Sequence, residues 1–103
     1  MFADTPQPPY YAVIFTSTKI DEDKDYGAMS DRMVELVQQQ EGFLGFESAR
    51  EDLGITVSYW KDEASILAWK AQLEHQEAQA KGKALWYTNY KIRIAKVERD
   101  YEK

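Results

Sequence analysis

The sequence contains no cysteine, which excludes disulfides, thiolate metal sites and a cysteine nucleophile. It has one histidine, His75. A multi-histidine zinc site is thereby excluded, and Ser/His/Asp chemistry has a single base to draw on. Proline is confined to Pro6, Pro8 and Pro9, so no later segment is broken by one. No apolar run approaches the ~20 residues of a membrane span, and no n-region, h-region or cleavage site is present. Bases are outnumbered, 13 Lys and Arg against 18 Asp and Glu, giving a net charge of -5. The acid excess lies in the first half, and neither half has the clustered basic face that nucleic acid requires. These absences predict a small cytoplasmic protein with neither a nucleic-acid nor a membrane partner.

What is present fits one compact domain. The chain has 103 residues, of which 44% are apolar and 14% aromatic, ample for a core. Residues 1–9 hold all the prolines and read as a flexible N-terminal arm. Tyr10–Thr18 is β-branched and aromatic, a strand signal. Both its alternating rows are apolar: Tyr11, Val13 and Phe15 on one, Tyr10, Ala12 and Ile14 on the other. A strand of that kind is covered on both faces. Met29, Met33, Leu36 and Val37 then follow helical spacing, with Asp25 as the N-cap and Gly42 as the left-handed stop. Phe43–Arg50 and Gly54–Lys61 form a hairpin around Glu51–Gly54. In its second strand Ile55, Val57 and Tyr59 share one face, and Thr56, Ser58 and Trp60 the other.

Asp62 caps a second helix whose apolar stripe is Ile66, Trp69 and Leu73, with Gly82 as its stop. Its later half, Glu74–Lys83, is mostly Gln, Lys, Glu and Ala and reads as solvated or kinked. Leu85–Val97 is the last strand, with Trp86, Tyr90, Ile92 and Ile94 on one row and Tyr87, Asn89, Lys91 and Arg93 on the other. Residues 100–103 form a tail. The order β-α-β-β-α-β with right-handed crossovers predicts an α+β, ferredoxin-like domain over residues 10–99, with both helices on one face of a four-stranded antiparallel sheet. Two helices cover one side only. The other side is apolar in the first strand, so a second copy packing sheet to sheet is expected, giving a homodimer.

Local chemistry is sparse. The acidic loop Asp21 to Gly27 has acids at positions one, three and five of a calcium loop. Its glycine comes one residue late, and Arg32 stands where a bidentate glutamate belongs, so a solvated loop is the better account. Gly42-Phe43-Leu44-Gly45 follows a helix and fits no nucleotide fingerprint. An RNA-recognition domain would use exposed sheet aromatics, but its glycine-and-basic signature is missing. His75 is the one side chain that ordinarily titrates near neutrality. Beside Glu74, Gln76 and Glu77 it reads as an outward polar residue. It reads alternatively as a proton acceptor at a pocket mouth. Six residues past Trp69 is a rotation of roughly 240° on an unbroken helix, so a kink is needed for both to line one pocket. Trp60, Trp69, Trp86, Tyr59, Tyr87 and Tyr90 suit a core or interface, and equally the lining for a flat aromatic ligand. Lys91 and Arg93, if their row faces a partner or cavity, need acceptors such as Glu47 or a ligand's oxygens.

The segments YYAVIFTST, GFLGFESAR, ITVSYWKDEASILAWK and EHQEAQAKGKALWYTNYKIRIAKVER, in that order, resemble the antibiotic biosynthesis monooxygenase (ABM) domain family across residues 10–99. The resemblance includes Ser58-Tyr59-Trp60-Lys61 followed by Trp69 and His75. It implies a dimeric α/β barrel with a pocket in each subunit between helices and sheet. Some relatives oxidise polycyclic phenols with molecular oxygen and no metal or flavin; others bind and degrade heme. By that analogy His75, Trp69 and Tyr59 are catalytic candidates, and Trp60, Trp86, Tyr87 and Arg93 bind substrate, with no cofactor and no metal. The activity implied is a monooxygenase of small aromatic phenols. The alternatives are a non-catalytic dimeric ligand-binding or stress-related protein, and a heme-degrading enzyme. Against heme, Tyr10–Thr18 lacks the relatives' asparagine, and His75 lies closer to Trp69 than in those relatives.

Overall fold

The computed structural model describes residues 2–19, 26–79 and 87–103, with the side chains of 19, 26–31, 75–79 and 87–89 left out. Six elements follow in the expected order: β1 (Tyr10–Lys19), α1 (Tyr26–Gln38), β2 (Phe43–Arg50), β3 (Gly54–Trp60), α2 (Glu63–Gln79) and β4 (Tyr87–Val97). The strands form one antiparallel sheet in the order β2-β3-β1-β4. This is the ferredoxin-like α+β arrangement. The acidic segment 21–25, the proposed Asp25 cap, Gly82 and Trp86 lie outside the described residues.

Register decides which apolar row meets the helices. Tyr11 pairs with Trp60, Val13 with Ser58 and Ile94, and Phe15 with Thr56 and Ile92. Directly paired residues project to the same side of a sheet. Trp60, fully buried, forms the core there with Val37 of α1 and Ile66 of α2, and Tyr11, Val13, Phe43 and Trp69 pack around it. The odd row of β1 is thus the helix side, and the even row, with Tyr59 of β3, is the open side.

Two glycines are required by close approach. α1 ends at Gln38, earlier than Gly42, through a tightened turn in which Gln39 and Gln40 donate to Leu36 and Val37. Gly42 has φ +85 and lies so close to α2 that an added Cβ would fall 2.0 Å from Ser65 Oγ. Its carbonyl accepts from the Lys61 amide at 2.8 Å, prolonging the β2–β3 pairing. Gly54, at the other end of β3, leaves room for the Arg50 guanidinium to cross the strand and donate to the buried Ser17 hydroxyl at 2.7 Å. At the start of α2 the Asp62 carboxylate accepts from the Ser65 amide at 2.8 Å, the expected cap. α2 runs unbroken to Gln79 because its Gln, Glu, Lys and Ala residues are good helix formers.

Candidate functional site

The helix side carries an aromatic bay. Trp60 stacks on Trp69 with ring centroids 6.2 Å apart, and Phe43 meets Trp60 edge-on at 5.3 Å. The Trp60 indole proton is held by Ser58 Oγ at 2.9 Å, so the ring is fixed rather than free to turn toward a ligand. Among the described residues α1 packs chiefly on β2 and α2 chiefly on β3. The helix-side row of β4 is accordingly only half covered: Tyr90, Ile92 and Ile94 are 54%, 49% and 53% exposed. Phe15 stacks on Tyr90 at 5.6 Å, continuing the aromatic surface across β1. A shelf of Val13, Phe15, Tyr90, Ile92 and Ile94 therefore lies on the same side of the sheet as the Trp60–Trp69 pair. Such a surface suits a flat apolar body.

The open side carries a different arrangement. The Tyr59 hydroxyl donates to Glu47 Oε1 at 2.7 Å, and the Ala3 amide donates to Glu47 Oε2 at 2.8 Å. Thr5 Oγ1 donates to the Tyr10 hydroxyl at 3.0 Å, and that hydroxyl donates in turn to Asp100. Tyr10 and Tyr59 meet edge-to-face at 5.8 Å. Residues of the N-terminal arm and the C-terminal tail thus meet over the start of β1, around a cavity of about 420 Å³. The backbone amide of Ala3 and the Tyr59 hydroxyl hold the Glu47 carboxyl below its usual value. Burial, reinforced by Glu47, pushes the Tyr59 phenol up to about 12. Burial and the Asp100 bond likewise raise Tyr10. Both phenols stay protonated at physiological pH and act as donors, not bases.

Of the residues singled out from sequence, the structure brings Trp60 and Trp69 together on the helix side. Tyr59 and Arg93 stand on the open side, since Tyr59 pairs with Ala12 and Arg93 with Ile14. Within one protomer these two do not share a pocket with Trp69. Position 75 lies on the unbroken part of α2, but the His75 side chain, like those of Trp86 and Tyr87, is outside the described residues. No group of three metal-binding side chains occurs among the described residues. No described helix is long and apolar enough to cross a membrane. Tyr10, Asp100 and Phe15 carry no site role in the sequence: the Phe15–Tyr90 stack follows only from the strand register, and the Tyr10–Asp100 bond only from the path of the tail beyond β4.

The family profile for antibiotic biosynthesis monooxygenases matches residues 9–81. The chain belongs to that family. A protein of Bacillus subtilis (strain 168), the uncharacterized YqjZ, is 53% identical over 97 residues, covering 92% of this chain and 85% of its own. Among solved structures, SnoaB, a cofactor-independent oxygenase from Streptomyces nogalater, superposes with a TM-score of 0.71 at 15% identity. The match covers 91% of this chain and 98% of SnoaB. MhuD, solved with two manganese protoporphyrin IX molecules per active site, superposes with a TM-score of 0.63 at 17% identity, covering 89% and 99% of the two chains. At such identities the structural matches establish the shared ABM fold, whose members include oxygenases and porphyrin binders.

Proposed function

We propose that this family member is a cofactor-independent monooxygenase acting on a small aromatic or polycyclic phenol bound between helices and sheet, in a homodimer closed across the open faces of its sheets. The observation that carries the reading is the apolar helix-side surface, where Tyr90, Ile92 and Ile94 stay about half exposed on the face that also holds the Trp60–Trp69 pair. A deprotonated phenol or anthrone is electron-rich enough to pass an electron to oxygen itself. Net oxidation of an anthrone methylene to a carbonyl consumes one O₂ and releases one water. The protein then has three tasks: hold the rings, assist deprotonation and stabilise the oxyanion.

In this reading Trp69, backed by Trp60, packs against the rings, and the β4 row supplies the floor. His75 enters as the one ordinary neutral-pH proton acceptor of the chain. Because α2 is unbroken, positions 69 and 75 stand roughly 240° apart around it, without the kink that would bring both to one pocket, so the two residues are tested as separate roles. The test is oxygen consumption by metal-free protein with a panel of anthrones and hydroquinones, run beside His75→Ala and Trp69→Phe. Turnover lowered by both variants supports these roles. Turnover kept by His75→Ala alone removes the histidine from the mechanism, and no turnover with any compound removes the enzymatic reading.

A second reading, a non-catalytic binding protein on the same scaffold, is favoured by the burial of Trp60 and its fixed indole, which mark that ring as core. It predicts saturable binding of the same phenols without oxygen uptake. Heme binding is tested by hemin titration: a Soret shift would support it, and its absence would dispose of it.

A further inference from the structure

The open side of the sheet is polarised along one crosswise row. Glu47 pairs with Val57, Val57 with Ile14 and Ile14 with Arg93, so the row runs Glu47, Val57, Ile14, Arg93 from β2 to β4. An acid stands at one edge, a base at the other, and two β-branched apolar residues lie between. Within a protomer Glu47 and Arg93 are three strand spacings apart, roughly 14 Å, too far to pair. Arg93 is exposed and forms no ion pair among the described residues. The next row toward the chain ends is Gly45, Tyr59, Ala12 and Ala95. There the arm rides on β2, with Ala3 so close to Gly45 that an added Cβ would touch its Cβ at 3.0 Å.

We propose that Arg93 of a second copy completes the Glu47 site, fixing the register of the homodimer through two symmetric Glu47–Arg93 pairs. The inference rests on the homodimer reading given above. A two-fold axis lying between the sheets and parallel to the strands, midway between β3 and β1, turns β2 of one copy over β4 of the other at the same height. Each Glu47 then faces an Arg93, and the central Val57 and Ile14 face Ile14 and Val57. The contact is isologous, as closed two-fold symmetry demands. Facing sheets pack about 10 Å apart, a gap that glutamate and arginine side chains jointly span. The arm and tail already cover Tyr10 and Ala12, 4% and 5% exposed, so the partner's sheet seats on the Glu47–Arg93 row and beyond it, away from that end. Glu47 already accepts from Tyr59 and Ala3, which orients its carboxylate, and a guanidinium adds a charge-assisted bond to it.

The experiment is sedimentation of full-length wild type, Glu47→Arg, Arg93→Glu and a 1:1 mixture of the two variants. The wild type is a dimer, each variant alone is a monomer because like charges now face each other twice, and the mixture recovers the dimer. In that heterodimer one contact is the reversed pair and the other is native. A monomeric wild type would overturn the homodimer reading itself. A dimeric wild type whose variants dimerise equally tightly would overturn only the Glu47–Arg93 register. Monomeric variants whose mixture stays monomeric would overturn it too. Where charge reversal prevents folding, Glu47→Gln and Arg93→Gln serve: each weakens the dimer roughly tenfold or more, and the double variant weakens it no further. Independent effects of the two substitutions would refute the pairing.

Discussion

Replacing Gly54 by alanine tests the sheet geometry sharply, because the structure predicts a sign that depends on a second residue. The new Cβ would lie 2.0 Å from Arg50 Nη2 and 2.2 Å from its Cζ. The guanidinium is the end of a flexible side chain, so it moves aside and gives up its 2.7 Å bond to Ser17. Ser17 is 2% exposed, and its hydroxyl loses a charged donor in a site that water does not reach. Such a bond is worth about 1.5–3 kcal/mol, while alanine gains about 0.5–1 kcal/mol over glycine inside a strand. The net loss is about 0.5–2.5 kcal/mol. In an Arg50→Ala background the obstruction is gone, so the same Gly54→Ala change is neutral or stabilises by up to about 1 kcal/mol. Urea unfolding of the four proteins in this cycle, followed by tryptophan fluorescence, reads both values. An equal cost of Gly54→Ala in the two backgrounds would refute the crossing of Arg50 over β3.

Two further outcomes follow from the same register. Glu47 has its folded pKa below the ordinary value, so its contribution to stability is present above the unfolded pKa and is lost as pH falls through the folded one. Melting temperatures taken from neutral to acid pH should therefore converge between wild type and Glu47→Gln, the variant being the less stable at neutrality; a constant difference at every pH would contradict this. Gly42→Ala places a Cβ at 2.0 Å from Ser65 Oγ in a backbone of φ +85, and should destabilise by more than the ~1–2 kcal/mol of a left-handed alanine alone. Ser65→Gly in the same protein should return the excess, as urea midpoints will show.

Much of the architecture was legible because each strand and helix advertises itself locally. Phe43–Arg50 and the start of β3 at Gly54 followed from β-branched and aromatic runs flanking a polar turn, and Asp62 from its place before an apolar helical stripe. Within β3 the alternation of Tyr59 and Trp60 was also readable. What alternation leaves open is which row of one strand continues which row of the next. Tyr59 and Trp69 were grouped in one candidate set by residue type, yet Tyr59 adjoins Trp60 in a strand. Once Trp60 faces α2, Tyr59 must face away. The role of Gly54 was hidden for a related reason: a glycine beside a turn reads as a turn residue, whereas here it makes room for a side chain from the neighbouring strand. The Ala3–Glu47 bond joins residues 44 positions apart through a backbone amide, a contact that leaves no mark in composition.

The central claim is that a flat phenolic ligand sits on the helix side of the sheet, against Trp69 and the exposed row of β4. Anaerobic titration of the metal-free protein with an anthrone or hydroquinone that the wild type oxidises, followed by tryptophan fluorescence and calorimetry, isolates binding from turnover. Saturable binding that is weakened by Trp69→Phe and abolished by Ile92→Arg, but retained by Tyr59→Phe on the opposite face, is the predicted result. Binding indifferent to Trp69 and Ile92 yet lost with Tyr59→Phe would place the ligand on the wrong side of the sheet for this account.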